Sequence, residues 1–574
     1  MTSYTIKIGG EAGQGLVSVG NILLQSIAKT GWHLFAHQDY ESRIRGGHNY
    51  FQIRISHQPV HTWDQEIDLL VALDKESIQL HSQELRPQGR IIYDPNVVKE
   101  ELTGEQYIPL AWNGVVKELG QPQVMANAVA AGAIWAFLND DIQPLHGVLA
   151  EMFADKGEEI VQGNLQVSQA GFLRIKETIG DFAKPAQPSE PQPRMLVKGN
   201  EALPLGALAA GVQFMAAYPM TPSTGVTEFI ANYGRQCTVL MEQAEDEISA
   251  INMCIGAAFT GARAMTATSG GGFALMTEAL GLAGSAEVPL VVIDAQRPGP
   301  STGLPTRTEQ GDLLLAVATS SGDFPRAVLA PGDAQEAFYL MGHAFNLAEK
   351  YQMPVIVLSD QHLADSHVTL PPLELGEIEH QRGDVVSGKE AGEDYQRHKF
   401  TASGISPRLY PGFGPGLVVS AGDEHDEQGH LIEDAETRTK MMEKRMAKLQ
   451  AAAEEALAPV LFGEKDADPD ALLISWGSTK GALQEAVEVL NARGCKVQGV
   501  HLPQVYPLPA GLEKILHGPG RKIIVEGNYS GQLQRLLASE FAWKPDASIR
   551  RYDGRPLNHQ YILDQLKGGA CCGC

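Results

Sequence analysis

The sequence is short of cysteine, of long apolar runs and of basic residues, and each shortage excludes a class of protein. Six cysteines occur, three of them within the last four positions, so the chain carries no readable disulfide framework. Its longest purely apolar run, Ala128 to Leu138, reaches about half of the ~20 residues that a membrane-spanning helix needs. The 45 basic residues against 69 acidic ones give a net charge of −24, which repels nucleic acids and anionic lipid surfaces.

The remaining composition is typical of a soluble α/β protein with several domains. A chain of 574 residues exceeds what one hydrophobic core supports, so roughly two to four domains are expected. The chain enters a strand-like alternation at Tyr4, Ile6 and Ile8, with no basic and apolar leader before it. We therefore expect a cytoplasmic protein with neither membrane nor nucleic acid as a partner.

Shifts in composition divide the chain into five segments. Residues 1–182 open with a strand, a glycine turn and a helix, and the proline-rich residues 183–194 form a linker. Residues 195–366 alternate buried strands with helical patterns, as parallel βαβ units do. Residues 367–467 make a long excursion that includes a helix, and residues 468–574 alternate strands and helices again before a cysteine-rich tail.

A glycine-rich corner, Gly9 to Gly15, joins the first strand to the first helix. It differs from the dinucleotide-binding pattern Gly-x-Gly-x-x-Gly, but the helix N-terminus that follows Gly13 and Gly15 is suited to a phosphate. Arg43 and Arg45, in a segment bounded by glycines, add two cations. The alternative is a tight turn with exposed arginines.

The loop from Tyr218 to Thr224 combines two prolines with three aliphatic hydroxyls. Because proline stiffens the backbone, little entropy is lost when these side chains recognise a small polar substrate. The alternative is a strand-to-helix turn in which Ser223 or Thr224 caps the helix.

Three carboxylates in a row, Glu245-Asp246-Glu247, precede a predicted helix. The helix dipole is the ordinary explanation for acidic residues near a helix start. In the helix that follows, Ile248, Ile251 and Ile255 are spaced as a core stripe. The neighbouring motifs favour a functional role for Glu247.

Two further loops follow predicted strands. Thr268 to Gly272 is glycine-rich, and Gln296 to Arg307 contains the cations Arg297 and Arg307. Ligands of parallel sheets collect at the carboxyl ends of strands, so both loops are expected at one rim. An arginine can hold a carboxylate through two parallel hydrogen bonds, of roughly 1.5–3 kcal/mol each. The alternative for either arginine is a surface or interface position.

These motifs together resemble a known family. Tyr-Pro-x-Thr-Pro at 218–222, Gln-Ala-Glu-Asp-Glu at 243–247, Thr-Ser-Gly-x-Gly-Phe at 268–273 and Gly-Pro-Ser-Thr-Gly-Leu-Pro-Thr-Arg-Thr-Glu-Gln at 299–310 are similar to the α subunit of 2-oxoacid:ferredoxin oxidoreductases. The form resembled is the 2-oxoglutarate type with its γ domain fused at the N-terminus. The resemblance implies an α/β fold with an N-terminal γ domain, a doubly wound pyrimidine-binding thiamine domain and a transketolase-type C-terminal domain.

The resemblance implies thiamine diphosphate as cofactor and assigns roles residue by residue. Glu247, nine residues before Gly256, is similar to the glutamate that shares a proton with N1′ of the aminopyrimidine, with Glu245 in reserve. Thr221 is similar to the substrate-contacting threonine, and Arg297 to the arginine that holds the 2-oxoacid carboxylate. The other assignments are Arg307 as second choice for the carboxylate, Tyr218 and Pro219 beside the cofactor, and Gly13, Gly15, Arg43 and Arg45 for coenzyme A.

Two absences imply a partner. The chain lacks Gly-Asp-Gly, with which thiamine enzymes bind Mg²⁺ and the diphosphate, and it lacks an internal Cys-x-x-Cys array for an iron–sulfur cluster. The resemblance therefore implies that this chain supplies only half of an active site. A β subunit would bring the diphosphate site, Mg²⁺ and a 4Fe-4S cluster in an (αβ)₂ heterotetramer, with ferredoxin as the outside electron acceptor.

The implied reaction is the CoA-dependent oxidative decarboxylation of 2-oxoglutarate to succinyl-CoA and CO₂, reversible toward CO₂ fixation. Pyruvate or a branched-chain 2-oxoacid is the alternative substrate. A non-redox thiamine enzyme and a non-catalytic scaffold are the alternative functions. The tail Cys571-Cys572-Gly573-Cys574 is either solvated or part of a metal or redox site that needs a fourth ligand.

Overall fold

The computed structural model describes residues 3–42, 46–100, 102–180, 182, 184–189, 192–463 and 468–567. The chain divides into two compact units, one of residues 1–197 and 366–373 and the other of residues 198–365 and 374–574. Arg43, Arg45 and the three cysteines of the tail, all singled out by their sequence context, lie outside the described residues.

Twenty β-strands, numbered in chain order, occur in the described residues. They are β1 (Tyr4–Glu11), β2 (His33–Asp39), β3 (His48–Ser56), β4 (Ile67–Ala72), β5 (Leu85–Tyr93), β6 (Tyr107–Pro109), β7 (Met195–Lys198), β8 (Phe214–Ala217), β9 (Leu240–Gln243), β10 (Ala264–Thr268), β11 (Leu290–Gln296), β12 (Ala327–Leu329), β13 (Pro354–Asp360), β14 (His367–Leu370), β15 (Val460–Gly463), β16 (Ala471–Trp476), β17 (Val497–Leu502), β18 (Gln504–Tyr506), β19 (Arg521–Glu526) and β20 (Ala547–Arg550).

The same residues form nineteen α-helices. They are α1 (Leu16–Lys29), α2 (Lys75–His81), α3 (Pro95–Val98), α4 (Trp112–Glu118), α5 (Ala126–Leu138), α6 (Gln143–Phe153), α7 (Glu158–Ile179), α8 (Gly199–Ala209), α9 (Thr224–Tyr233), α10 (Glu247–Phe259), α11 (Gly270–Ser285), α12 (Leu313–Val317), α13 (Ala334–Tyr351), α14 (Gln361–Asp365), α15 (Ala435–Glu454), α16 (Lys480–Ala492), α17 (Leu512–Leu516), α18 (Gln532–Phe541) and α19 (His559–Gln565). Every helix in the described ranges is too short or too polar to span a bilayer.

The first unit is built on an eight-stranded sheet in the order β6-β5-β4-β1-β3-β2-β14-β7. β1 pairs parallel with β4 and antiparallel with β3. The apolar run Ala128 to Leu138 forms most of α5, is buried throughout, and packs against α1 and α7. β14 pairs with β2, although its residues belong to the excursion in the sequence analysis. A strand of only four residues carries too little alternation to be predicted from the sequence.

β1 is longer than predicted, because it continues through Gly9 and Gly10 to Glu11. A Cβ atom at Gly9 would lie 2.8 Å from Ser77 Oγ, and one at Gly10 would lie 2.9 Å from Leu73 Cβ, so the sheet needs glycine at both positions. The turn into α1 is therefore confined to residues 12–15.

The second unit contains two sheets. The seven-stranded sheet has the order β18-β12-β13-β11-β10-β8-β9, with only the β12–β18 pair antiparallel. The five-stranded sheet has the order β15-β17-β16-β19-β20, with only the β15–β17 pair antiparallel. Strands β10, β11 and β13 are buried along their whole length, as parallel strands covered on both faces are. The predicted α/β class is confirmed.

A fully buried carboxylate anchors the excursion within the second unit. Glu287, ahead of β11, accepts hydrogen bonds from Lys448 Nζ at 2.5 Å and from Lys444 Nζ, and His398 Nδ1 lies 3.1 Å from it. Burial raises the pKa of Glu287, but the charges of the two lysines outweigh burial and hold it well below its ordinary value. Both lysines come from α15, so this cluster fixes α15 on the domain.

Helix α10 begins at Glu247, and the side chain of Asp246 caps it by accepting from Ser249 N at 2.7 Å. The predicted core stripe is wrong at Ile248, which is 50% exposed. The buried face instead runs through Glu247, Ile251 and Cys254, since positions i, i+4 and i+7 share one side of a helix. The first carboxylate of the helix therefore lies on its buried side.

Candidate active site

The candidate residues lie where parallel strands of the seven-stranded sheet end. Tyr218 follows β8, Glu247 comes shortly after β9, Thr268 closes β10, and Arg297 follows β11. These strands run parallel, so their carboxyl ends meet at one edge of the sheet. Four motifs that are separate in the sequence thereby share one rim.

The loop between β8 and α9 is fixed through its backbone. The carbonyl oxygens of residues 220–222 accept hydrogen bonds, in chain order, from Ser223 Oγ at 2.7 Å, Arg297 Nη1 at 2.7 Å and Asn200 Nδ2 at 2.9 Å. The Ser223 hydroxyl bonds within the loop and makes no capping bond to α9. The structure thus joins Arg297 directly to the backbone of Thr221.

Glu247 is a buried carboxylate with an unpaired oxygen. The residue is 3% exposed, and its Oε1 has no hydrogen-bond partner in the described residues. A Cβ atom at Gly272, in the first turn of α11, would lie 2.5 Å from Glu247 Oε1 and 2.2 Å from Thr268 Oγ1. A buried acceptor left unpaired costs about 1–3 kcal/mol or more, so its presence points to a ligand that donates there.

Glu245 differs from Glu247 in its burial and in its hydrogen bonding. It is exposed, and its Oε1 accepts a hydrogen bond from Ser249 Oγ at 2.7 Å. Tyr218 and Pro219 are also exposed, Tyr218 by 39%. The structure places Glu247 on the inner side of the rim, and Glu245, Tyr218 and Pro219 on its solvent side.

Arg297 and Arg307 occupy one loop but differ in their surroundings. Arg297 Nε is buried without a partner in the described residues, while its Nη1 holds Thr221. Burial lowers the pKa of Arg297, and the charge of Asp312 opposes that shift. Arg307 is half-buried, and a Cβ atom at Gly554 would lie 3.2 Å from Arg307 Cβ. Arg297 is therefore the arginine that faces the threonine loop.

Two buried acids beside this loop escaped the sequence analysis. Neither carboxyl oxygen of Asp294 in β11 has a partner in the described residues, and Asp312 Oδ2 is also unpaired. Burial and then the charge of Asp312 raise the pKa of Asp294 well above its usual range. Burial and then the charge of Glu309 raise the pKa of Asp312 to about 7. A carboxylate inside an apolar strand is the signal that could have found Asp294.

A second candidate site lies in the first unit, at the corner between β1 and α1. Gly13 and Gly15 have φ of 95° and 87°, which favours glycine. They line a cavity of about 370 Å³ with Trp112, Asn113 and Asn127 among others. The N-terminus of α1 is thus open to a polar ligand. Within the described ranges, no three His, Cys, Asp or Glu side chains are arranged to hold a metal ion.

Two family models match the chain. Residues 205–444 match "Pyruvate flavodoxin/ferredoxin oxidoreductase, thiamine diP-bdg", and residues 5–173 match "Pyruvate ferredoxin/flavodoxin oxidoreductase". The first match spans the rim with Glu247 and Arg297, and the second spans the glycine corner. The α/β fold and these two matches together identify an oxidoreductase subunit with a thiamine diphosphate-binding domain.

Relatives that align with nearly the whole chain identify its family more specifically. The 2-oxoacid:ferredoxin oxidoreductase subunit alpha of a Sulfolobus species is 34% identical over 623 residues, covering 98% of this chain and 95% of that one. The 2-oxoglutarate oxidoreductase subunit KorA of Mycobacterium tuberculosis is 29% identical, covering 94% and 88%. The solved 2-oxoglutarate:ferredoxin oxidoreductase from Magnetococcus marinus, with 2-oxoglutarate, coenzyme A and succinyl-CoA bound, matches with a TM-score of 0.93 at 32% identity, covering 99% of each chain.

The chain belongs to the family of 2-oxoacid:ferredoxin oxidoreductase alpha subunits. The resemblance seen in the motifs is thereby confirmed, and so is the prediction that the chain is part of an oxidoreductase enzyme. An alpha subunit works with other subunits.

Proposed function

We propose that this chain is the alpha subunit of a cytoplasmic 2-oxoglutarate:ferredoxin oxidoreductase, which converts 2-oxoglutarate and CoA to succinyl-CoA and CO₂ and passes electrons to ferredoxin. The observation that carries the proposal is the buried, unpaired Oε1 of Glu247 at the rim of the thiamine domain. Relatives named for 2-oxoglutarate, and the Magnetococcus marinus enzyme that binds it, support the substrate.

Glu247 fits the aminopyrimidine ring of thiamine diphosphate. When bound, this cofactor supplies the nucleophilic carbon and the electron sink for decarboxylation. A ring N–H at N1′ would satisfy Glu247 Oε1, and a buried carboxyl group there can share and move that proton. Gly272 supports this role because any larger residue there would displace the Glu247 carboxylate. Tyr218 and Pro219, on the solvent side of the rim, would cover the ring.

Arg297 and Thr221 form the proposed site for the 2-oxoacid. The Arg297 guanidinium keeps Thr221 in place through Nη1 and has donors left for a carboxylate, which a planar guanidinium holds well. The backbone of Thr221 contacts this cation, and its hydroxyl is the proposed polar contact for the substrate. Arg307, on the same loop, is the second candidate for a carboxylate, and 2-oxoglutarate has two.

Coenzyme A is the proposed ligand of residues 1–182, taken as a γ-type domain. Gly13 and Gly15 open the N-terminus of α1, where phosphate groups bind favourably. Arg43 and Arg45 would contribute charge to the same anionic ligand. The cavity of about 370 Å³ beside the corner supports this assignment.

The proposed partner is a β subunit that holds Mg²⁺, the diphosphate and a 4Fe-4S cluster in an (αβ)₂ heterotetramer and reduces ferredoxin. Near Glu247, helices α10 and α11 pack together and expose Ile248, Met253 and Leu275 by 50%, 39% and 53%. Apolar side chains exposed beside a half-built site mark a surface that a subunit covers. We therefore assign this face to the β subunit.

Steady-state kinetics of the chain assembled with its β subunit test the proposal. The complex should reduce a viologen dye only with CoA present, and kcat/KM should be highest for 2-oxoglutarate among 2-oxoglutarate, pyruvate and branched-chain 2-oxoacids. Preference for another oxoacid would overturn the substrate. A complex without the broad visible absorbance of an iron–sulfur cluster would overturn the redox reaction.

A further inference from the structure

The loop that carries Arg297 and Arg307 is held by hydrogen bonds at its base and again near its C-terminal end. At the base, the amide of Asp312 donates to Oε1 of Gln296, the last residue of β11, at 3.0 Å. Past Arg307, the loop bonds to turns of the five-stranded sheet. It therefore starts from one sheet of the second unit and is also bonded to the other.

Gln310 inserts its side-chain amide between two of these turns. The residue is 2% exposed. Its Nε2 donates to Trp476 O at the end of β16, and its Oε1 accepts from Gly527 N after β19, each at 2.7 Å. The Gln310 backbone N–H donates to Gly527 O, also at 2.7 Å. One residue thus bridges the carboxyl ends of two neighbouring strands.

The slot for this amide depends on two glycines. A Cβ atom at Gly477 would lie 2.8 Å from Gln310 Nε2, and one at Gly527 would lie 3.3 Å from Gln310 Oε1. Gly477 also has a φ of 55°, which disfavours other residues. The turns after β16 and β19 therefore match a glutamine in size as well as in donors and acceptors.

Further hydrogen bonds join the loop to the same part of the second unit, and together with the bonds of Gln310 they form what we call the seam. Gln532 of α18 donates from Nε2 to Gly311 O at 2.5 Å and accepts from Leu314 N at 2.9 Å. The Thr308 amide donates to Gly554 O at 3.4 Å. Residues on both sides of Gln310 are thus bonded to the C-terminal part of the chain, and Gln310 is the buried residue at the centre of these contacts.

We propose that Gln310 is a positioning residue for 2-oxoacid recognition, which fixes the loop of Arg297 and Arg307 on the five-stranded sheet. This inference rests on the proposed function of that loop. Gln310 stands three residues after Arg307. The seam attaches the loop to the five-stranded sheet, in addition to the bond at its base and to the bonds that Thr308 makes with Asp360 and His362. A guanidinium must be placed to within fractions of an ångström to bind a carboxylate in two parallel hydrogen bonds, so a loosened seam weakens oxoacid binding first.

The test is the variant Gln310→Ala in the assembled complex, with KM measured separately for 2-oxoglutarate and for CoA. We expect the KM for 2-oxoglutarate to rise about tenfold while the KM for CoA and kcat change by less than about threefold. Hydrogen exchange at Gly527 N–H, which loses its acceptor, should become faster.

Gln504→Ala is the matched control. Gln504 is also fully buried, donates from Nε2 to Pro507 O at 3.1 Å and accepts from Leu457 N at 3.2 Å, away from the loop. Both variants should lower Tm, but only Gln310→Ala should raise the KM for 2-oxoglutarate. Equal KM values in the two variants would overturn the inference.

Gln310→Glu adds a conservative variant. Its carboxylate keeps an acceptor for Gly527 N but loses the donor to Trp476 O until it is protonated. The KM for 2-oxoglutarate should therefore recover as the pH falls, relative to wild type at each pH. If the wild-type complex shows no oxoacid-dependent activity, the proposed function fails. If wild type is active and neither variant shifts this KM, the inference alone fails.

Discussion

Glu247 and Gly272 are in such close contact that a methyl group added at position 272 would overlap the Glu247 carboxylate. A Cβ atom at Gly272 would lie 2.5 Å from Glu247 Oε1, well inside van der Waals contact. That oxygen is buried and has no partner in the described residues. Glycine at position 272 therefore allows the Glu247 carboxylate to occupy this buried position.

Gly272→Ala should therefore impair catalysis, because the new methyl group displaces Glu247 or Thr268. We expect kcat of the assembled complex to fall by about tenfold to a hundredfold. Gly271→Ala is the control in the same turn, since its Cβ would meet only Ser301 O at 3.8 Å. Equal activity of the two variants would contradict the assigned contact.

Arg297→Ala should weaken binding of the 2-oxoacid. It removes a charged donor and the bond that holds Thr221 O, so kcat/KM for 2-oxoglutarate should fall by about tenfold to a hundredfold. Arg307→Ala, on the same loop, should have the smaller effect. A larger loss for Arg307→Ala would exchange the roles of the two arginines.

Asp312 should make stability depend on pH. Burial and Glu309 raise its folded-state pKa to about 7, so the folded protein binds this proton more tightly than the unfolded chain does. Its contribution is complete below the unfolded pKa of about 4 and is lost as the pH rises through about 7. Tm measured from about pH 5 to about pH 8 should fall more in wild type than in Asp312→Asn. Parallel Tm profiles would contradict this.

Glu287→Ala should destabilise the second unit strongly, because Lys444 and Lys448 would remain buried without their counter-charge. Breaking a buried ion pair from one side costs about 3–5 kcal/mol. Urea unfolding should show this loss, whereas Glu436→Ala, which removes the exposed pair with Lys440 on the same helix, should change little. Similar midpoints for the two variants would show that the buried cluster is dispensable.

Local sequence patterns predict much of this fold. Alternating apolar residues from Tyr4 to Ile8 predict a strand that the structure extends to Glu11, and the apolar run Ala128 to Leu138 forms a buried helix. The loops with Tyr218, Thr268 and Arg297 follow strands, so topology alone brings them to one rim. Strand periodicity and glycine-rich turns are local signals, and a sequence displays them directly.

Long-range contacts leave no such signal. Glu287 and Lys448 are 161 residues apart and each has the sequence context of an ordinary surface charge. Gln310 meets Trp476 across 166 residues, and no periodicity links the two. Ile248 is exposed although its spacing predicts a core position, because the position of the helix start decides which face is buried. Burial and pairing of polar groups are therefore visible only in the three-dimensional structure.

Glu247→Gln in the assembled complex, beside Glu245→Gln, tests the central claim most directly. Glutamine keeps the size of Glu247 but cannot take up or share the proton at N1′, so kcat should fall by about a hundredfold or more. Thiamine diphosphate should still be retained, and Glu245→Gln should keep near-wild-type turnover. Full activity of Glu247→Gln, or a comparable loss in Glu245→Gln, would contradict the account.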